Sequence, residues 1–202
     1  MKKFITLALA LCMALSASVC ASAAEIDTDG GSGSTPVYLS STEDGTMEGD
    51  PSATAMSVTV PTALPMAMSQ TGDVTTADNC QIINNSYGAV RVKSVTISAE
   101  NGWSLTAFGD KSTLASEKVD SDQLGFAICI GDGEWAVTDS SNESAQALIS
   151  APIDGCYMSG AGNAANNTVS VDYAAIVTPL SSPVTNANIA NVVFVVEWDI
   201  AA

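Results

Sequence analysis

Three kinds of side chain in this sequence could do chemistry: paired carboxylates, cysteines and tryptophans. The carboxylate pairs are Glu43-Asp44, Asp120-Ser121-Asp122 and Asp132-Gly133-Glu134. Two carboxyls at a set separation in a cleft could cleave a glycosidic bond, and six or more oxygens at tight spacing could hold calcium. Neither arrangement is written in the spacing, since there is no EF-hand-like loop and no calcium-binding repeat. Aspartate in a turn more often serves its own backbone. Histidine is absent from all 202 positions. That removes the usual general base, the Ser-His-Asp and Cys-His arrangements, and most zinc and copper sites. The chain therefore reads as non-catalytic, with no cofactor expected; calcium is the one metal its acidic turns would admit.

The cysteines depend on the compartment. Lys2 and Lys3 precede an apolar run from Phe4 to Val19, and Ala21-Ser22-Ala23 follows with small residues where a signal peptidase reads. This is the pattern of a secretory signal peptide over residues 1–23, cut after Ala23 or Ala24. The run is short for a membrane span, and Val19 before Cys20 is too bulky for a lipid-attachment site. The expected product is a secreted protein, extracellular or associated with the cell wall, with no membrane contact after cleavage. The short MKKF start and the acidic mature chain look bacterial. Cys80, Cys129 and Cys156 remain. One disulfide drawn from among them, or three reduced buried thiols, would both fit an exported protein. Their spacings match no metal knuckle.

Once Lys2 and Lys3 leave with the leader, four basic residues, Arg91, Lys93, Lys111 and Lys118, face 22 acidic ones. The resulting net charge of −18 repels phosphate backbones and anionic lipid, so nucleic acid is excluded as a partner. It favours solubility and cationic partners.

The elements that must position these residues read as strands. Residues 24–54 form an acidic, Gly/Ser-rich lead-in, with "PVYLSS" at 36–41 as a candidate first strand. From residue 55 to 202, short alternating runs are separated by Gly/Asn/Asp/Ser turns. That pattern implies one antiparallel β-sandwich domain, jelly-roll-like. In "AVRVKSVTISA", Val90 and Val92 share one phase while Val95 and Ile97 take the other. A switch of one residue within a strand predicts a β-bulge near Lys93-Ser94. Leu124, Phe126, Ile128 and Ile130 share a face, leaving Cys129 on the other. Ser144 to Ile149 is the one stretch that suggests a short helix. The final run, "NIANVVFVVEWDIAA", is apolar on both faces, with Phe194, Val196, Trp198 and Ile200 in one phase. Such a strand left at an edge would template aggregation, so it is expected to be central or to pair with another subunit.

Trp103-Ser104-Leu105 and Trp198-Asp199-Ile200 complete the set. Strand parity places Trp103 and Leu105 on one face, the usual signature of core packing, and suggests that the two tryptophans mark neighbouring strands of one sheet. The segment "VKSVTISAENGWSLTA" (Val92 to Ala107) also resembles the first Trp-x-Leu motif of the WxL cell-surface domains of Gram-positive bacteria. "VVFVVEWDI" resembles the second, with Ile200 in place of leucine. The resemblance implies a non-catalytic surface protein that associates with peptidoglycan or another surface protein, with Trp103, Leu105, Trp198 and Ile200 as binding residues. A looser similarity, to extracellular matrix fibre subunits of the TasA kind, implies a homo-oligomer or fibre built by strand donation, with residues 36–41 as the donor.

Overall fold

The computed structural model describes residues 55–139 and 143–200. The leader, the lead-in with its candidate strand at 36–41, and Glu43-Asp44 lie outside the described residues. In chain order the elements begin with β1 (Val58–Thr59), β2 (Met66–Met68), β3 (Val74–Thr76), β4 (Gln81–Asn84), β5 (Val90–Ala99) and β6 (Ser104–Thr106). A single helical turn, α1 (Ser112–Ala115), follows. The second half holds β7 (Gln123–Ile130), β8 (Ala136–Val137), β9 (Ala145–Ile149), β10 (Tyr157–Met158), β11 (Thr168–Val177) and β12 (Ala190–Trp198).

These strands form two main sheets. One runs β1-β4-β11-β7-β6, with β8 also on β7; the other runs β10-β5-β12, with β9 also on β5. A separate hairpin joins β2 to β3. A single hydrophobic cluster draws Ile82, Leu124, Phe126, Ile128, Ile130, Val171 and Tyr173 from the first sheet and Val90, Val92, Val95, Ile97, Ile149 and Met158 from the second. Two sheets sharing one core in this way make the all-β sandwich that the alternation implies. The pairing is antiparallel except between β6 and β7, which run parallel with Leu105 opposite Leu124. That exception follows from the connection, since the chain passes through α1 and returns in the same direction instead of closing a hairpin.

The expected bulge is present. Val195 of β12 stands opposite Ser94, and Val196 stands opposite Val92, so Lys93 is the extra residue in β5. It keeps Val90 and Val92, before it, on the same buried side as Val95 and Ile97, after it. Strand β7 is buried along nearly its whole length on both faces. A Cβ on Gly125 would come within 2.7 Å of Ile176, so glycine there makes room for a bulky neighbour on β11. Cys129 does lie opposite the large apolar set, yet it is buried as well.

Two expectations need correction. The stretch from Ser144 to Ile149 is not helical but contains β9, which pairs with β5 and carries its own register shift at Val95/Thr96. Its Ala-Gln-Ala-Leu composition favours a helix locally, and pairing beside β5 overrides that preference. The helical turn instead follows Asp110, whose side chain accepts the Ser112 N–H at 2.8 Å. The second concerns only the first of the two alternatives for β12, a central place in a sheet. The strand is not central: among the described residues it pairs with β5 alone.

Candidate functional site

The most distinctive surface is the outer face and open edge of the four-stranded sheet. Strand β5 sets it up. Its inward residues are the fully buried valines and isoleucine of the core, and its outward residues include Arg91 and Lys93. Two of the four basic residues beyond residue 23 are thus on one strand, and β12 brings the acids that meet them. Arg91 contacts Glu197 Oε1 through Nη2 at 2.9 Å and donates to it from Nε at 3.0 Å. Lys93 Nζ lies 2.9 Å from Glu197 Oε2, and Arg91 Nη1 lies 3.4 Å from Asp199 Oδ1. Hydrogen bonds from Lys93 and Arg91 hold the Glu197 carboxyl below the usual range. The bond to Glu197 raises the Arg91 guanidinium further. Two cations and two anions balance locally on an otherwise strongly acidic chain.

Beside this cluster the face exposes three large apolar or aromatic side chains. Val193 is 53% exposed, Val195 43% and Tyr157 46%. Tyr157 stands opposite Arg91 on one side, and Glu197 stands opposite Arg91 on the other. Val193 and Val195 lie across from Thr96 and Ser94.

The edge itself can be read from hydrogen-bond parity. In an antiparallel pair the residues that bond inward alternate with those that bond outward. The Ile189 carbonyl accepts the Glu100 N–H at 2.9 Å, and the Asp199 N–H donates to Ala89 at 3.0 Å. Odd-numbered residues of β12 therefore point their backbone groups at β5. The groups of Ala190, Val192, Phe194, Val196 and Trp198 point away from it, where no described strand meets them. Other outer strands of the two main sheets are shorter: β1, β8 and β10 have two residues each, β6 has three and β9 has five. β12 has nine.

The Trp-x-Leu residues are placed differently from expectation. Leu105 is fully buried in β6. Trp103 lies just before that strand, half-buried against the core, and its N–H donates to Glu100 at 3.0 Å. Trp198 ends β12, also half-buried against the core, and its ring lies 3.0 Å from where a Cβ on Gly88 would stand. Glycine at 88 leaves room for the indole there. Ile200 falls beyond the strand and is 74% exposed, so it does not continue the buried phase. The two tryptophans are not on neighbouring strands of one sheet: β6 belongs to the larger sheet and β12 to the smaller. Trp198 pairs with Val90 at the start of β5, and Trp103 bonds to Glu100 just past its end. A ten-residue strand separates them by roughly 30 Å. The motif residues are brought to opposite ends of a strand, not to one groove.

Cys80, Cys129 and Cys156 are free thiols. Burial pushes the Cys129 and Cys156 thiols up, and Cys129 Sγ donates to the Gly133 carbonyl at 3.1 Å. Buried thiols with raised pKa are poor nucleophiles. Asp120 and Asp122 both adopt left-handed backbone conformations. The Asp120 carboxylate accepts the Ser181 N–H at 2.8 Å, which holds it below its ordinary range. With the Asp120 N–H donating to the Pro179 carbonyl at 2.9 Å, this ties the loop before β7 to the loop after β11. Among the described residues no group of three or more Asp, Glu or Cys side chains is placed to share a metal.

Sequence reasoning singled out the Trp-x-Leu positions and passed over the Arg91–Lys93–Glu197 cluster. The signal was there in the phase of β5, which put both cations on one outward face. Its partner strand could not be read from alternation. Compared with known proteins, the chain matches no family model, no curated protein and no solved structure.

Proposed function

We propose that this is an exported, non-catalytic surface protein that associates with other protein chains outside the cell, by strand addition at the open edge of β12. The observation that carries this reading is the nine-residue edge whose outward backbone groups meet no strand among the described residues. An exposed edge of this length is a ready template for another strand, and proteins usually blunt such edges. The sequence of β12 contains no proline and no lysine to blunt it. Of the two branches opened by the resemblance, association with a protein partner has a continuous surface to work with. Direct peptidoglycan binding by Trp103, Leu105, Trp198 and Ile200 would need side chains that are buried or far apart.

The test uses the exported chain and a double variant, Val193→Lys/Val195→Lys, which charges the edge without touching the core. Circular dichroism checks that both fold alike. The immobilised wild type should capture the free exported chain and the immobilised variant should not, while bare peptidoglycan captures neither. Equal capture of both proteins by bare peptidoglycan would sink this reading in favour of direct wall binding.

A further inference from the structure

We infer that the occupant of the β12 edge is β12 of a second copy, paired antiparallel about a two-fold axis at Phe194; this rests on the edge being the working surface. The first argument is parity. A new antiparallel ladder must join residues whose backbone groups point outward, which are Ala190, Val192, Phe194, Val196 and Trp198. An axis at Phe194 sets Phe194 against its own copy, Val192 against Val196 and Ala190 against Trp198. All five outward-bonding residues of each strand are then used, giving up to about ten interchain hydrogen bonds. Moving the axis by one residue leaves some of them unmatched.

The second argument is side-chain matching. On the outer face this register puts Val193 beside Val195 of the second copy, so two half-exposed apolar residues cover each other twice. It puts Glu197 beside Asn191, not beside another carboxylate. The third argument is charge. Two chains of net charge −18 repel, so they can meet only where the surface is locally balanced. Arg91 and Lys93 neutralise Glu197 and Asp199 within each copy, and the antiparallel arrangement carries the two clusters to opposite ends of the interface. A closed pair of this kind is isologous and stops at two chains.

The register can be read by cross-linking. Across the axis, Val193 and Val195 of the second copy form a non-hydrogen-bonded pair with Cα atoms about 4.5 Å apart, within disulfide reach. Val193 and its own copy lie on a diagonal, about 7–8 Å apart. A mixture of Val193→Cys and Val195→Cys exported chains should therefore oxidise to a covalent pair far faster than either variant alone. Light scattering should give the wild type the mass of two chains and the Val193→Lys/Val195→Lys variant the mass of one. Three results would overturn the inference: a monomeric wild type into the high micromolar range, a doubly charged variant that stays paired, or single cysteine variants that cross-link as fast as the mixture. Open-ended filaments would also overturn the two-fold pairing, while leaving association through the edge intact.

Discussion

At the scale of the residue, the Trp-x-Leu positions divide sharply by environment. Leu105 is fully enclosed between β6 and the core, whereas Ile200 stands in solvent beyond the end of β12. Leu105→Ala should cost about 2–5 kcal/mol by urea unfolding, the usual range for emptying a packed leucine site. Ile200→Ala should change stability by less than about 0.5 kcal/mol. Equal costs at the two sites would contradict the packing described. Glu197 makes a different kind of contribution. Its carboxyl titrates below its ordinary value of 4.5 because Lys93 and Arg91 bond to the charged form. A depressed acid stabilises the fold above its unfolded pKa, and that stabilisation fades as the pH falls through the lower folded value. The gap in melting temperature between wild type and Glu197→Gln should thus be open at neutral pH and close in acid. Added salt should narrow it as well, because the cluster is at the surface.

At the scale of the element, β5 organises everything around it. Its bulge at Lys93 lets two runs of opposite phase share one buried face. Deleting Lys93 should turn Val90 and Val92 outward, and we expect loss of the cooperative unfolding transition followed by circular dichroism. Lys93→Ala keeps the register and should cost less than about 1 kcal/mol. A deletion variant that unfolds like the alanine variant would show the bulge to be dispensable. These strands were legible in the sequence because alternation reports which face of a residue is buried. That is why β5, its bulge, β7 and β12 could be placed from the sequence alone. Alternation says nothing about lateral neighbours. The edge position of β12, the parallel pairing of β6, and the separation of Trp103 from Trp198 depend on connections through turns and a helical turn. β9 was misread for a related reason: a five-residue run of Ala, Gln and Leu carries a weak local preference that pairing with β5 decides.

At the scale of the whole molecule, charge is unevenly distributed. Half of the basic residues beyond residue 23 sit on β5, and the acids they meet lie on β12 and just beyond it. Elsewhere acids outnumber bases heavily, so long-range repulsion opposes any meeting of two copies while the sheet itself permits it. Raising sodium chloride should therefore strengthen self-association, with the dissociation constant measured by sedimentation falling as screening increases. A dissociation constant that rises steeply with salt would mean that opposite charges, not strand pairing, hold the copies together. The parity of β12 has one more consequence, on the timescale of backbone amide exchange with deuterated water. In a lone chain, the amides of Val193, Val195 and Glu197 are held by β5 and should exchange slowly. Those of Val192, Phe194 and Val196 meet no described strand and should exchange fast. A single strand would then show protection alternating residue by residue along its length, and occupation of the edge would be recorded as the fast half of that pattern falling silent.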